Sequence, residues 1–264
     1  MPVQAKPQRL AVLIDADNAP RTALSAIMAE IAVYGNPTVK RIYGDWTRPN
    51  SSTWKPILLE NAITPIQQYS YTTGKNSTDS AMIIDAMDLL YTGDCDGFVL
   101  VSSDSDFTRL AIRLREAGKN VIGMGERKTP EPFIVACDKF IYIEVIRNAD
   151  DEEKHPVSDF RSAKPAWKPR HHEMDSFVTA QGVPQSVIDL IADSISVIAD
   201  EDGYAFLGEL GNLLLRKQPD FDPRNYGFLK LTHLMKSIDR FETDARPTSN
   251  PNIKHVYVRD KEAE

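Results

Sequence analysis

The sequence predicts an α/β protein: a mainly parallel sheet with helices on both faces, followed by a small winged helix-turn-helix module. Three observations carry this. Over residues 9–146, short apolar runs such as "RLAVLID" and "GFVLVS" alternate with segments of helical period, as strands buried on both faces do when crossover helices separate them. The stretch 147–175 is charged, holds Pro156, Pro165 and Pro169 and sustains no apolar period, which marks a linker. Beyond it, three helical patterns precede two short strand patterns, the order of a winged helix. The expected domains are therefore 1–146 and 176–264, with 147–175 between them.

Each element has a local reason. "RLAVLID" is a continuous apolar strand, and "PRTALSAIMAEIAVYG" a helix with Pro20 near its start and Gly35 just past its end. "TVKRIYG" is the second strand, "TWKPILLENA" a short helix, and "ITPIQQY" a third strand that Pro65 assigns to an edge or a strand start. "STDSAMIIDAMDLLYTG" carries Met82, Ile83, Ala86, Met87 and Leu90 at helical spacing and ends at Gly93. "GFVLVS", "DFTRLAIRLREAG", "NVIGMG", "PEPFIVACDKF" and "IYIEV" continue the alternation. In the second module "SVIDLIADSISVIAD", "YAFLGELGNLLLRK" and "RNYGFLKLTHLMKSI" read as helices and "FETDA" and "KHVYVRD" as strands. Gly182, Gly203 and "QPDFDP" punctuate them.

Composition narrows the function. With 264 residues, 42% of them hydrophobic, the chain can bury real cores. No run approaches the roughly 20 apolar residues of a membrane helix, and "MPVQAKPQRL" lacks the apolar core of a signal peptide; the expectation is a soluble, cytoplasmic protein without membrane partners. Cys95 and Cys137 form no CxxC or Cys/His cluster, so neither a disulfide framework nor a zinc site is expected. A net charge of −7 argues against indiscriminate wrapping of nucleic acid. All five histidines follow residue 150, so chemistry in the first half must run without them.

What remains is acid. Ligands of open parallel sheets bind beyond the carboxyl ends of the strands, and there Asp15 and Asp17 end or follow "LAVLI", Asp45 follows "RIYG", and Asp104 and Asp106 follow "FVLVSS". Asp79 adds an acid in the first turn of a helix. Gathered carboxylates repel one another until a cation intervenes. Mg²⁺ takes oxygen ligands and substrate phosphates, and the matching chemistry is metal-assisted phosphodiester hydrolysis. Each acid also has a structural use: Asp17 as a turn former, Asp106 as the cap of a helix starting at Phe107, Asp79 as a complement to the helix dipole. Asn18 either caps the next helix or orients a metal-bound water. Asp85 and Asp88 share a helix face and read as a solvated stripe, although Asp85 is also placed to steady a metal ligand.

"LIDADNAP", "RIYGDW", "GKNSTDSAMIIDAM" and "FVLVSSDSDFTRLAIRLREAGKNVIGMG", in this order, resemble the NYN-domain family, PIN-like nucleases with a Rossmann-like sheet. The resemblance implies a metal-dependent ribonuclease in which Asp15, Asp79 and Asp104 ligate Mg²⁺ or Mn²⁺, with Asp45 or Asp106 as a fourth acid. "KNSTD" stands where many relatives carry Gly-Val before the aspartate, a departure that bears on loop geometry. "YAFLGELGNLLLRKQPDFDPRNYGFLKLTHLMKSIDRFE" resembles the LOTUS domain, also called OST-HTH. That implies a winged helix that binds RNA or, alternatively, docks a protein. On physical grounds Arg216, Lys217, Arg224, Lys230 and Lys236 can meet phosphates and Tyr226 or Phe228 can stack on a base; the same residues equally suit a solvated face and a core.

The resulting reading is a two-part ribonuclease acting on single-stranded or structured RNA. Asp15, Asp79 and Asp104 hold the metal, Asp45 and Asp106 complete its shell or position water, and Lys75 or Arg48 contacts phosphate. Two alternatives stand beside it. One is a non-catalytic RNA-binding adaptor that keeps the nuclease fold. The other is a phosphatase of the haloacid dehalogenase type, since "VLIDADNA" imitates a strand followed by D-x-D whose first aspartate is the nucleophile.

Overall fold

A computed structural model describes residues 7–47, 49–69, 77–146, 182–247 and 254–263. The chain divides into two compact units, residues 1–154 and 155–264. In the first, β1 (Arg9–Asp15), β2 (Asn36–Gly44), β3 (Thr64–Gln67), β4 (Gly97–Val101), β5 (Asn120–Gly125) and β6 (Lys139–Tyr142) form one sheet of order β3-β2-β1-β4-β5-β6. Every neighbouring pair is parallel. The helices are α1 (Leu24–Tyr34), α2 (Lys55–Glu60), α3 (Ser77–Thr92), α4 (Thr108–Glu116) and α5 (Glu131–Ala136).

The period of two in a strand sorts β1 into two cores. Leu10, Val12 and Ile14 pack with Leu24, Ile27 and Ile31 of α1 and Leu58 of α2. Ala11 and Leu13 face the other way, with Met82 and Ala86 of α3, Leu110 and Leu114 of α4 and Phe133 of α5. Each fully buried large apolar side chain contributes about 1.5–3 kcal/mol, so the central strands are anchored from both sides. β3 lies at the sheet edge with Pro65 inside it, where a missing N–H is tolerated. "IYIEV" is only partly a strand: β6 stops at Tyr142, and residues 143–146 turn helical, which sends both Ile143 and Ile146 into the α1-side core.

The second unit holds α6 (Gln185–Ile198), β7 (Tyr204–Phe206), α7 (Leu207–Lys217), α8 (Leu231–Ser237), β8 (Phe241–Pro247) and β9 (Lys254–Asp260). Ile188, Ile191 and Ile195 of α6, Leu210 and Leu214 of α7, and Leu234 and Met235 of α8 share one core with Val258. Two expectations need correction. "YAF" is a third strand pairing antiparallel with β9 rather than a helix start; three residues are too few for periodicity to reveal. "RNYGFLKLTHLMKSI" is not one helix: a 3₁₀ turn ends at Gly227, whose φ of 86° is left-handed, and α8 begins only at Leu231. The expected linker 147–175 lies outside the described residues. Among the described residues, no helix is long and apolar enough to cross a membrane. Cys95 and Cys137 are buried free thiols.

Candidate metal centre

From β1 the chain moves outward to β2 and β3, whereas β4 leads the other way to β5 and β6. Where these directions part, ligands of such sheets bind beyond the carboxyl ends of the strands, here β1 and β4. Asp15 is the last residue of β1, Asp104 lies just past β4 as the N-cap of a 3₁₀ turn, and Asp79 sits in the first turn of α3. One carboxylate oxygen from each of Asp79, Asp104 and Asp106 falls within 4.8 Å of the others. Asp79 is buried, Asp104 half-buried and Asp106 exposed, so the trio runs from the interior to solvent.

The buried acids repel one another. Burial, then the charges of Asp15, Asp104, Asp106 and Asp17, push the Asp79 carboxyl up to about 6. Burial also holds Asp15 above the ordinary carboxylate range, although hydrogen bonds from Asn18, Ser102 and the Asp17 amide pull the other way. Among the described residues, Asp15, Asp79 and Asp104 form no ion pair with a basic side chain.

Asp15 stands outside this trio of oxygens, although its charge is the first of those that raise Asp79. It is 0% exposed, and both its oxygens are already engaged. Oδ1 accepts from the Asp17 amide at 3.0 Å, while Oδ2 accepts from Asn18 Nδ2 at 2.7 Å and Ser102 Oγ at 2.8 Å. Asn18 is thus a partner of Asp15, and the 3₁₀ turn that leads into α1 is entered through Pro20 instead. Ser102 is the residue that pattern reasoning missed. Its hydroxyl donates to Asp15 and accepts from the Asp104 amide at 3.1 Å, tying the ends of β1 and β4 together. The serines of "SSDSD", directly after an apolar run, were the available signal. A Cβ at Gly125 would lie 2.6 Å from the Ser102 carbonyl oxygen, so this close approach of β5 requires glycine.

Capping falls to Asp104, whose Oδ1 accepts from the Asp106 amide at 3.0 Å, and not to Asp106. Asp45 is held in a turn of its own by Thr47 Oγ1 at 2.6 Å and Gln67 Nε2 at 3.0 Å, and it does not enter the trio. Asp85 is no solvated residue: it bonds both Arg41 and the buried Tyr43 hydroxyl, locking α3 onto β2. Arg48 and Lys75 lie outside the described residues.

In the second unit Arg216, Lys217, Lys230 and Lys236 are exposed, and Lys217 Nζ also reaches Ser194 Oγ at 3.0 Å. Arg224 departs from the expected solvent-facing cation. Its guanidinium clasps Asp222, with NH2 2.8 Å from Oδ2 and Nε 3.1 Å from Oδ1. Tyr226 is half-buried with its ring 6.1 Å from that of Phe221, and Phe228 packs against the same core. Asp15, which the phosphatase alternative would use as its nucleophile, is 0% exposed.

Comparison with known proteins follows the two units. The NYN domain family pattern matches residues 9–144, and the OST-HTH/LOTUS domain pattern matches residues 181–253. No curated protein gives a significant match. Among solved structures, a protein of unknown function from Vibrio parahaemolyticus is 20% identical, covering 53% of this chain and 95% of its own, with a TM-score of 0.46. An uncharacterised protein from Nitrosomonas europaea is 32% identical over 40% of this chain and 95% of its own, with a TM-score of 0.27. A protein from Chromobacterium violaceum is 27% identical over 30% of this chain and 83% of its own, with a TM-score of 0.25.

Proposed function

The chain belongs to the NYN domain family, and from that premise we propose that it is a metal-dependent ribonuclease whose OST-HTH domain binds the RNA. The observation that carries this reading is the trio of acidic oxygens within 4.8 Å, where burial and mutual repulsion leave Asp79 raised to about 6. The donor set fits a hard divalent cation: it is all oxygen, with neither histidine nor cysteine. Asp79, Asp104 and Asp106 would hold Mg²⁺ or Mn²⁺. Such a cation, when bound, neutralises phosphate charge and lowers the pKa of a bound water.

The remaining residues prepare that site. Asn18 and Ser102 fix Asp15, and Ser102 in turn fixes the backbone of Asp104, so the Asp104 carboxylate is oriented before any ligand arrives. Asp15 adds negative charge beneath the trio and thereby strengthens its hold on a cation. Arg216, Lys217, Lys230 and Lys236 are candidate phosphate contacts of the second unit. Joining both activities in one chain raises the RNA concentration felt by an acidic catalytic unit that attracts it poorly by itself. The test is incubation of the purified protein with labelled single-stranded and hairpin RNAs in Mn²⁺, Mg²⁺ or EDTA, alongside Asp104→Asn. Cleavage that needs metal and disappears in the variant, with RNA binding retained, supports the proposal. Binding without cleavage in either metal overturns it and leaves an RNA-binding adaptor.

A further inference from the structure

The outer face of the three-stranded sheet in the second unit carries an arrangement that none of the expected roles uses. β7 and β8 both pair antiparallel with β9, and the register places Tyr204 opposite Arg259, Phe206 opposite Tyr257, and Arg246 opposite His255. Directly opposed residues share a face, and so do alternate residues of one strand. These six therefore project from one side, while Ala205 and Val258 enter the helical core from the other. Phe206 is 38% exposed, and its ring centroid lies 5.1 Å from that of His255 and 5.7 Å from that of Tyr257. The Arg246 guanidinium lies 4.3 Å from the Tyr257 centroid and 4.8 Å from that of Tyr204, and Arg259 lies 4.9 Å from Tyr204.

We propose that this face is a stacking platform for the bases of single-stranded RNA. The inference rests on the reading that the second unit binds RNA, and adds which surface does so and by what force. Aromatic rings and guanidinium planes are the two protein surfaces on which unpaired bases stack. Charge decides the mode. Arg246 already pairs with Asp244 at 2.8 Å and Arg259 with Glu242 at 2.6 Å, so the face is close to neutral and suits base faces better than phosphates. The composition also disfavours a protein partner, because Phe206 is the one wholly apolar side chain among the six, and the others carry charge or polar groups. Gly208 sets the position of that ring: a Cβ there would lie 2.8 Å from Phe206 Cε1.

The experiment measures binding of the full chain, in EDTA, to a short fluorescent adenylate oligonucleotide across a salt series. Phe206→Leu keeps an apolar side chain and removes the π-face. Gly208→Ala improves helix propensity while displacing the ring, so reduced binding by this variant is not explained by a weakened helix. Expected are a loss of about 5-fold or more for Phe206→Leu and a smaller loss for Gly208→Ala, with the slope of log affinity against log salt unchanged in both. Wild-type affinity in both variants would overturn the platform and leave RNA binding elsewhere on the domain intact. A loss accompanied by a shallower salt slope would overturn it too, since that marks a phosphate contact. Absence of binding by the unaltered protein to this oligonucleotide and to hairpin RNA would overturn the underlying reading together with the inference.

Discussion

Among the described residues each unit buries two aspartates, Asp15 and Asp79 in the first and Asp222 and Asp260 in the second, and the two pairs are treated in opposite ways. Asp222 is clasped by Arg224, and Asp260 by Arg240 through Nε at 2.9 Å and NH2 at 2.7 Å. Burial pushes the Asp260 carboxyl up, but the Arg240 hydrogen bonds and charge outweigh it and leave it below the usual range. Among the described residues Asp15 and Asp79 have no guanidinium beside them, and both are raised. The second unit stabilises a buried charge with a cation from its own chain. Among the described residues the first unit brings no basic side chain to its buried aspartates, and this contrast separates acids paired within the fold from acids that fit the proposed cation site.

Substitutions sharpen this contrast. The largest effect is expected from Asp104→Asn, which removes a trio oxygen's charge without altering shape: cleavage falls by two to three orders of magnitude or about that, whereas Asp222→Asn leaves turnover per folded molecule unchanged, as gel-based cleavage rates would read. Ser102→Ala unties Asp15 from Asp104 and is expected to raise the Mn²⁺ concentration for half-maximal cleavage by about 10–100-fold; an unchanged metal titration would show that the hydroxyl bridge does not position the site. Stability should respond in opposite senses. Asp260→Asn loses charge-assisted bonds to Arg240 and costs about 2 kcal/mol in denaturant unfolding, discounted because a quarter of the Arg240 side chain is exposed. Asp79→Asn, relieving repulsion, leaves the metal-free protein at least as stable and abolishes the rise in Tm that Mn²⁺ produces.

The smallest effect is on pH. Asp79 binds its proton more tightly folded, at about 6, than unfolded, near 4. Its protonation therefore favours the fold fully below about 4, and that contribution is lost as pH rises through about 6. The metal-free protein should gain stability from this group on acidification across that window, by an amount that Asp79→Asn removes in thermal melts. Asp260 has the opposite sign: its stabilisation is present above the unfolded carboxylate value and is lost as pH falls through its depressed folded value.

Much of the fold was legible because apolar runs and helical periods are local. "LAVLI" and "FVLV" are buried strands wherever they lie in a parallel sheet, and Pro65 pointed to an edge or a strand start, of which the sheet order gives the edge. Tyr204–Phe206 escaped because its strand character depends wholly on pairing with Arg259–Tyr257, far along the chain. The site was half legible. Oxygens of Asp79, Asp104 and Asp106 lie within 4.8 Å of one another, while Asp15 stands outside that trio and acts on Asp79 through its charge. Nothing in "LIDADN" reveals that the Asp15 oxygens will accept hydrogen bonds from Asp17, Asn18 and Ser102, the last 87 residues away.

The sequence by itself determined which residues are acidic, which segments are strands and helices, and that two units of different kinds follow one another, since these depend on composition and on neighbours within a turn or two. Only the tertiary structure decided which acids share a cation-sized space, which are neutralised by arginine, and which aromatic side chains meet on one sheet face. The physical reason is range: secondary structure follows short periodicities, whereas a carboxylate's role follows from its distance to charges brought near by packing, and strand order and register set those distances.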